Sequence, residues 1–173
     1  AGMRLNSEFV QLLSLYKIEN KQYSTNMDWH YVGDMLEELA LENESLFAYH
    51  ELSVDVDCDP RLEWCFDRGL IQGVLNSTLN NCMRYAESNI ILRAEQREGQ
   101  LTLCIIDDGP GYPEQLLQLQ TPQNIDFKIH HTGLGLYFAR TVAELHHHND
   151  QQGHLELSNP ESGGGRFALV LPG

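Results

Sequence analysis

The segment Leu101-Thr-Leu-Cys-Ile-Ile-Asp-Asp-Gly-Pro-Gly-Tyr112 constrains this chain more than any other. Its first six residues are apolar or β-branched, the pattern of a buried strand, and the run breaks at once into Asp107-Asp108-Gly109-Pro110-Gly111. The strand end sets where Asp107 points. The glycines, lacking a Cβ, let the backbone turn sharply and pass close to a ligand. The same residues also suit a plain strand that runs into a Gly-Pro turn capped by Asp107. The rest of the chain has to decide.

Taken in order, residues 5–20 are predicted to be helical, with Leu5, Phe9, Leu12, Leu13 and Tyr16 on one apolar face. A second helix is predicted over 28–41, with Tyr31, Met35, Leu36 and Leu39 inward. Residues 52–57 alternate like an edge strand. Asp59-Pro60 then makes a favourable helix start, and the helix is expected to run over about 60–86. Its apolar face carries Leu62, Phe66, Leu70, Val74, Leu75, Leu79, Cys82 and Ala86. Ser77, Asn81, Arg84 and Tyr85 fall together on another face. Asn is a poor helix-interior residue, yet Asn76, Asn80 and Asn81 all sit here. On this stretch alone a solvated polar face accounts for them.

A hairpin comes next, from 89–95 through Glu98-Gly99 to the strand 101–107. Residues 112–131 are polar and Gln-rich, with a short helix expected at 113–119. So long a connection in a compact domain is often a lid or binding loop. His131-Thr-Gly-Leu-Gly-Leu136 opens a further helix to about His148. Glycines at a helix start leave N–H groups and the positive dipole end facing outward, which suits phosphate. The chain closes with a second hairpin, 154–158 and 166–171, around Glu161-Ser-Gly-Gly-Gly165. About five strands and three or four helices, joined by hairpins rather than repeated βαβ crossovers, predict an α+β fold. The expected form is a two-layer α/β sandwich on a mixed, mostly antiparallel sheet.

Composition narrows the function. Asp and Glu number 25 against 11 Lys and Arg, a net charge of −14, which argues against nucleic-acid binding through a basic surface. An anionic ligand held by backbone N–H groups and a metal ion remains open. The four cysteines form no Cys-x-x-Cys, as expected of a reduced, cytoplasmic protein. No stretch approaches the ~20 apolar residues of a membrane span, so no membrane contact is expected of this stretch. Ala1-Gly2-Met3 reads as a cloning remnant before a chosen start, and a piece of a longer protein is expected.

The order of motifs resembles the GHKL-type ATP-binding domain shared by sensor histidine kinases, gyrase, Hsp90 and MutL-type proteins. Leu79-Asn-Asn-Cys-Met-Arg-Tyr85 is similar to the histidine kinase N box, Ile106-Asp-Asp-Gly-Pro-Gly-Tyr112 to its G1 box, and Thr132-Gly-Leu-Gly-Leu136 to its G2 box. Gly164-Gly-Arg-Phe-Ala-Leu-Val-Leu-Pro172 is similar to the last hairpin. The resemblance covers roughly 46–173, expected to be the catalytic ATP-binding domain. Residues 1–45 would be a helical remnant of a dimerisation and phosphoacceptor domain.

The resemblance implies ATP and Mg²⁺ as ligands. Asn81 would hold the Mg²⁺ and serve the catalytic step, and Asp107 would accept from the adenine amino group. Gly109 and Gly111 would pass beside the base. Thr132, Gly133, Leu134, Gly135 and Leu136 would form the phosphate turn, with Arg84 or Tyr85 close by. Hydrolytic members carry a Glu four residues before the Asn, where this chain has Ser77. Phosphoryl transfer, or binding alone, is therefore favoured over direct hydrolysis. His131, Cys82 and Arg166 depart from the family's usual Gly, Ala and Thr.

No phosphoacceptor box is present; His50-Glu51 lacks the proline and leads into a strand, so the accepting histidine is expected outside this chain. Implied partners are ATP or ADP, a phosphoacceptor domain and a response regulator, with a homodimer expected only of the full-length protein. The parent is of open membrane status. His146-His147-His148 is expected to be a solvated helix end, and His130 and His131 to be ordinary lid residues, with contact to the nucleotide as the alternative. The alternative is a non-catalytic module, an anti-sigma-like switch or a degenerate kinase.

Overall fold

The computed structural model describes residues 2–118 and 133–173. The element order is α1 (Gly2–Glu19), β1 (Met27–Tyr31), α2 (Val32–Glu42), α3 (Glu44–Tyr49), β2 (Ser53–Asp57), β3 (Glu63–Asp67) and α4 (Arg68–Tyr85). It continues with β4 (Asn89–Arg97), β5 (Gln100–Asp107), α5 (Glu114–Gln118), α6 (Gly133–Leu145), β6 (His147–His148), β7 (Gln151–Gln152), β8 (His154–Ser158) and β9 (Arg166–Pro172). The main sheet has the order β2-β4-β5-β9-β8. Only the β2–β4 pair is parallel; the other three are antiparallel. Two small ribbons, β1–β3 and β6–β7, complete the strands among the described residues. The expected sandwich with a mixed, mostly antiparallel sheet is what the chain forms.

Strand β5 is central, paired on both sides, so its backbone groups are satisfied by β4 and β9. Alternation does the rest. Leu101, Leu103 and Ile105 face the helical layer and are buried, as are their neighbours Ile90, Leu92, Phe167, Leu169 and Leu171. Asp107 is the next residue in that series, so the strand delivers a carboxylate to the sheet's inner side. The core then continues through Leu70, Ile71, Val74, Leu75 and Leu79 of α4, Phe138, Ala139 and Val142 of α6, and Val32, Met35, Leu36 and Leu39 of α2. Full burial of side chains such as Phe66 and Phe167 is worth about 1.5–3 kcal/mol each relative to exposure.

Four local readings change. Residues 27–31 are a strand, not the first turns of a helix, and α2 begins at Val32. Residues 63–67 are likewise its antiparallel partner, and α4 begins at Arg68 rather than near Pro60. The reason lies at Asp67, whose side chain accepts the Leu70 N–H at 3.1 Å and caps α4. Asp59 spends its carboxylate on the Arg61 N–H instead, closing a short turn. The third change is His146. It is 2 % exposed, not a solvated helix end. Its Nε2 accepts the Asp67 N–H at 3.0 Å and its Nδ1 lies 2.8 Å from the Val142 carbonyl. His147 and His148 are exposed in β6. Helix α1 also turns its expected face outward: Phe9, Leu12, Leu13 and Tyr16 are exposed, while Gln11 and Leu15 are buried.

Candidate functional site

Between α4, the end of β5 and the start of α6 lies a cavity of about 580 Å³. That volume is in the range of small-molecule and cofactor sites. Ser77, Thr78, Asn81, Cys82 and Tyr85 line it from α4, because steps of three and four keep them on one side of the helix. Asp107 comes from the strand end, and Pro110, Gly111, Tyr112, Pro113 and Leu116 from the residues after it. Gly135 and Leu136 come from α6, and Phe167 from β9.

The Asp107 end is narrow and built by glycines. Asp107 is 9 % exposed, and its Oδ1 accepts the Gly109 N–H at 2.9 Å. A Cβ on Gly109 would come within 2.3 Å of the Tyr85 carbonyl oxygen, so the chain passes the end of α4 in direct contact. On the other side a Cβ on Gly165 would lie 3.2 Å from Asp107 Oδ2, and the Asp107 N–H donates to the Gly165 carbonyl. Asp108 serves a different purpose. It accepts from the N–H groups of Glu87, Ser88 and Asn89 and from the Ser88 hydroxyl, which holds its carboxyl well below the usual carboxylate range. It thereby pins the α4–β4 connection to the strand end.

Cys82 and Tyr112 stand beside the carboxylate of Asp107. Burial, then the charge of Asp107, pushes the Cys82 thiol up to about 12. Burial, with Cys82 and Asp107 nearby, raises the Tyr112 phenol as well. Both stay protonated at neutral pH. A buried carboxylate on a cavity wall selects a ligand that presents an N–H or NH₂ group.

The opposite end is polar and open. A Cβ on Gly135 would sit 3.9 Å from both Asn81 Nδ2 and Ser77 Oγ, so α4 and the first turn of α6 meet here. The first turn of the 13-residue helix α6 brings N–H groups that lack intrahelical partners and the positive end of the helix dipole, which favours an anion at this end. Among the described residues there is no cluster of three or more His, Cys, Asp or Glu able to hold a metal. Asn81 supplies one amide oxygen at most, which fits Mg²⁺ arriving with phosphates and water as its other ligands.

The site residues expected from sequence are thus largely brought together: Asn81, Tyr85, Asp107, Gly111, Gly135 and Leu136 line one cavity. Gly109 stands behind Asp107 rather than on the wall, and Arg84 is exposed outside it. Leu134 packs against the core, and Gly133 is the first residue of α6. Thr132, His130 and His131 lie outside the described residues. Sequence reasoning missed Cys82, Tyr112 and Phe167 as wall residues. It also missed Asn159, whose amide holds Tyr112 in place. Cys82 was legible as the residue after Asn81; Asn159 carried no signal.

A family model described as histidine kinase-, DNA gyrase B- and HSP90-like ATPase matches residues 66–173. The chain belongs to this family. Among similar proteins is the sensor protein kinase CarS of Pseudomonas aeruginosa, 33% identical over 143 residues, 80% of this chain and 31% of the relative. The chain spans about a third of the length of the curated relatives it matches. Among solved structures, the Acinetobacter baumannii histidine kinase AdeS superposes with a TM-score of 0.75 at 22% identity, covering 95% of this chain and 76% of that one. Full-length ShkA, solved in complex with AMPPNP, gives 0.71 at 15% identity, covering 87% of this chain and 32% of that one. At these identities the structural likeness speaks for the histidine kinase ATPase fold. No helix among the described residues is long and apolar enough to cross a membrane.

Proposed function

We propose that this histidine kinase ATPase domain binds Mg-ATP in the cavity and passes the γ-phosphoryl group to a histidine outside the chain. The observation that carries this reading is the pairing of a buried Asp107 at one end with Asn81 and the glycine start of α6 at the other. Adenine fits the first end: its amino group donates to Asp107, while Gly111, on the cavity wall, lets the backbone run alongside the base. Gly109 packs behind Asp107 and holds its carboxylate in place. The phosphates fit the second end, on the N–H groups at the start of α6. Asn81 would hold Mg²⁺, which supplies neutralising charge on the phosphates when bound.

In the transfer step the bond from the γ-phosphorus to the β,γ-bridging oxygen breaks as a bond to an imidazole nitrogen forms, and ADP leaves. The chain's own residues supply position and charge complementarity rather than covalent chemistry. Ser77 has no carboxylate with which to activate water, so transfer is favoured over hydrolysis. The AMPPNP bound to the similar ShkA chain supports a nucleotide as ligand. In this reading the acceptor domain and a response regulator are partners in the parent signalling system.

The test is phosphotransfer in trans. The chain is mixed with γ-labelled ATP, Mg²⁺ and the upstream acceptor helix of the parent protein. Acid-labile, base-stable label on the helix supports the proposal. Label released only as free phosphate would contradict it.

A further inference from the structure

Gln11 is a polar residue buried to 6 % exposure on α1, and its Nε2 donates to Ser77 Oγ at 2.6 Å across 66 residues of sequence. A hydroxyl oxygen that accepts from an amide keeps its own hydrogen to give elsewhere. Ser77 lines the cavity at the end where Asn81 and Gly135 converge. The direction left to that hydrogen therefore includes the polar end of the cavity. Besides Gln11, helix α1 rests on the domain through Leu15 in the core and through Glu19, which accepts from the Tyr137 hydroxyl on α6 at 3.1 Å.

We propose that Gln11 orients the Ser77 hydroxyl as a donor to the phosphate chain of the bound nucleotide, so that nucleotide affinity depends on the seat of α1. Ser77 is then a binding residue and Gln11 a positioning residue that acts through it. The inference rests on the reading of the cavity as an ATP site and deepens it. It gives the position occupied by Glu in hydrolytic relatives a task of its own here, a neutral donor where those carry a base. It also links α1, an element outside the sheet-and-helix sandwich, to the phosphate end of the site.

A mere bolt between α1 and α4 would need the same hydrogen bond, and the direction of donation separates the two. In Gln11→Glu the amide donor becomes a carboxylate, which only accepts. The Ser77 hydrogen then turns to the carboxylate introduced at position 11, and oxygen lone pairs face the cavity. Such a change repels a phosphate while leaving the adenine end alone.

The experiment is calorimetric titration of ATP and of adenosine, with Mg²⁺ present, into the unaltered chain, Gln11→Glu and Ser77→Ala. Loss of a hydrogen bond to a charged group predicts that both variants weaken ATP by about tenfold. Adenosine, which has no phosphate, should stay within about twofold. The double variant should be no worse than Ser77→Ala alone, because Gln11 acts only through that hydroxyl. Equal losses for ATP and adenosine, or no loss for either variant, would overturn the inference. Should Gln11→Glu fail to fold, Gln11→Met, which removes the amide donor without adding charge, is titrated in its place, and an ATP affinity equal to that of the unaltered chain would overturn the inference. If the unaltered chain binds neither ligand, the ATP reading itself has failed, which is a distinct result.

Discussion

Asn159 grips both backbone polar groups of Tyr112: its Oδ1 accepts the Tyr112 N–H and its Nδ2 donates to the Tyr112 carbonyl, each at 2.8 Å. The side chain does for Tyr112 what a neighbouring strand would do. Just before it, Gly111 has a φ of +83°, and a Cβ there would press on Asn159 Oδ1 at 2.8 Å. The clamp thus decides where the chain leaves the sheet and enters the segment that contributes Pro113 and Leu116 to the cavity wall.

Asn159→Ala should therefore loosen the wall without unfolding the sheet. Two lost hydrogen bonds at an exposed position cost about 1–2 kcal/mol. The Tyr112 amide should exchange with deuterium much faster than in the unaltered chain, while amides of β5 keep their protection. Unchanged exchange at Tyr112 would mean the clamp is not what holds the segment.

His146 gives the fold a pH dependence. Burial pushes its pKa below the ordinary 6.5, with the neighbouring His147 acting the same way and the Val142 carbonyl and Asp67 opposing. The folded chain keeps the ring neutral so that Nε2 can accept from Asp67, whereas the unfolded chain takes up a proton more readily. Stability from this group is complete above pH 6.5 and is lost as pH falls below it toward the depressed folded value. Urea midpoints measured from about pH 8 to about pH 5 should fall, and fall less in His146→Gln. Parallel pH profiles for the two proteins would assign the dependence to other groups.

Two left-handed glycines should respond differently to the same substitution. Gly99 has a φ of +76° with nothing within 4 Å of an added Cβ. Gly164 has a φ of +81°, and an added Cβ would lie 1.8 Å from the Asp107 carbonyl oxygen. Gly99→Ala should cost only the conformational strain, about 1–2 kcal/mol. Gly164→Ala must also shift the strand end that aims Asp107, so it should cost more and impair nucleotide binding. Thermal midpoints and ATP affinity check this; equal effects from the two would contradict the close packing at Asp107.

Much of the fold was open to reading from the chain alone. The β4–β5 and β8–β9 hairpins, the buried strand at 101–107 and the short helix after it were legible because period-two runs ended in strong turn residues. The β1–β3 ribbon was not. Leu62, Phe66 and Leu70 recur at helical spacing, and they masked the alternation of Trp64 and Phe66 inside them. Asp59-Pro60 offered a better start signal than Asp67, whose capping role is supported by a tertiary neighbour, His146. The face of α1 misled for a related reason. Its apolar stripe points outward, and the residue that reaches the site is the polar Gln11. Of the site, the motif residues were legible, but the walls supplied by Tyr112 and Phe167 and the clamp of Asn159 arise only from folding.

The assignment of the cavity stands or falls on calorimetric titration of ATP and ADP, with and without Mg²⁺, into the unaltered chain and Asp107→Asn. One site per chain is expected, with tighter ATP binding when Mg²⁺ is present. The variant should lose at least about tenfold in affinity, because the amide can no longer offer a charged acceptor to the adenine amino group. Equal affinity of the two proteins, or no binding by the unaltered chain, would rule out an adenine nucleotide site built on Asp107.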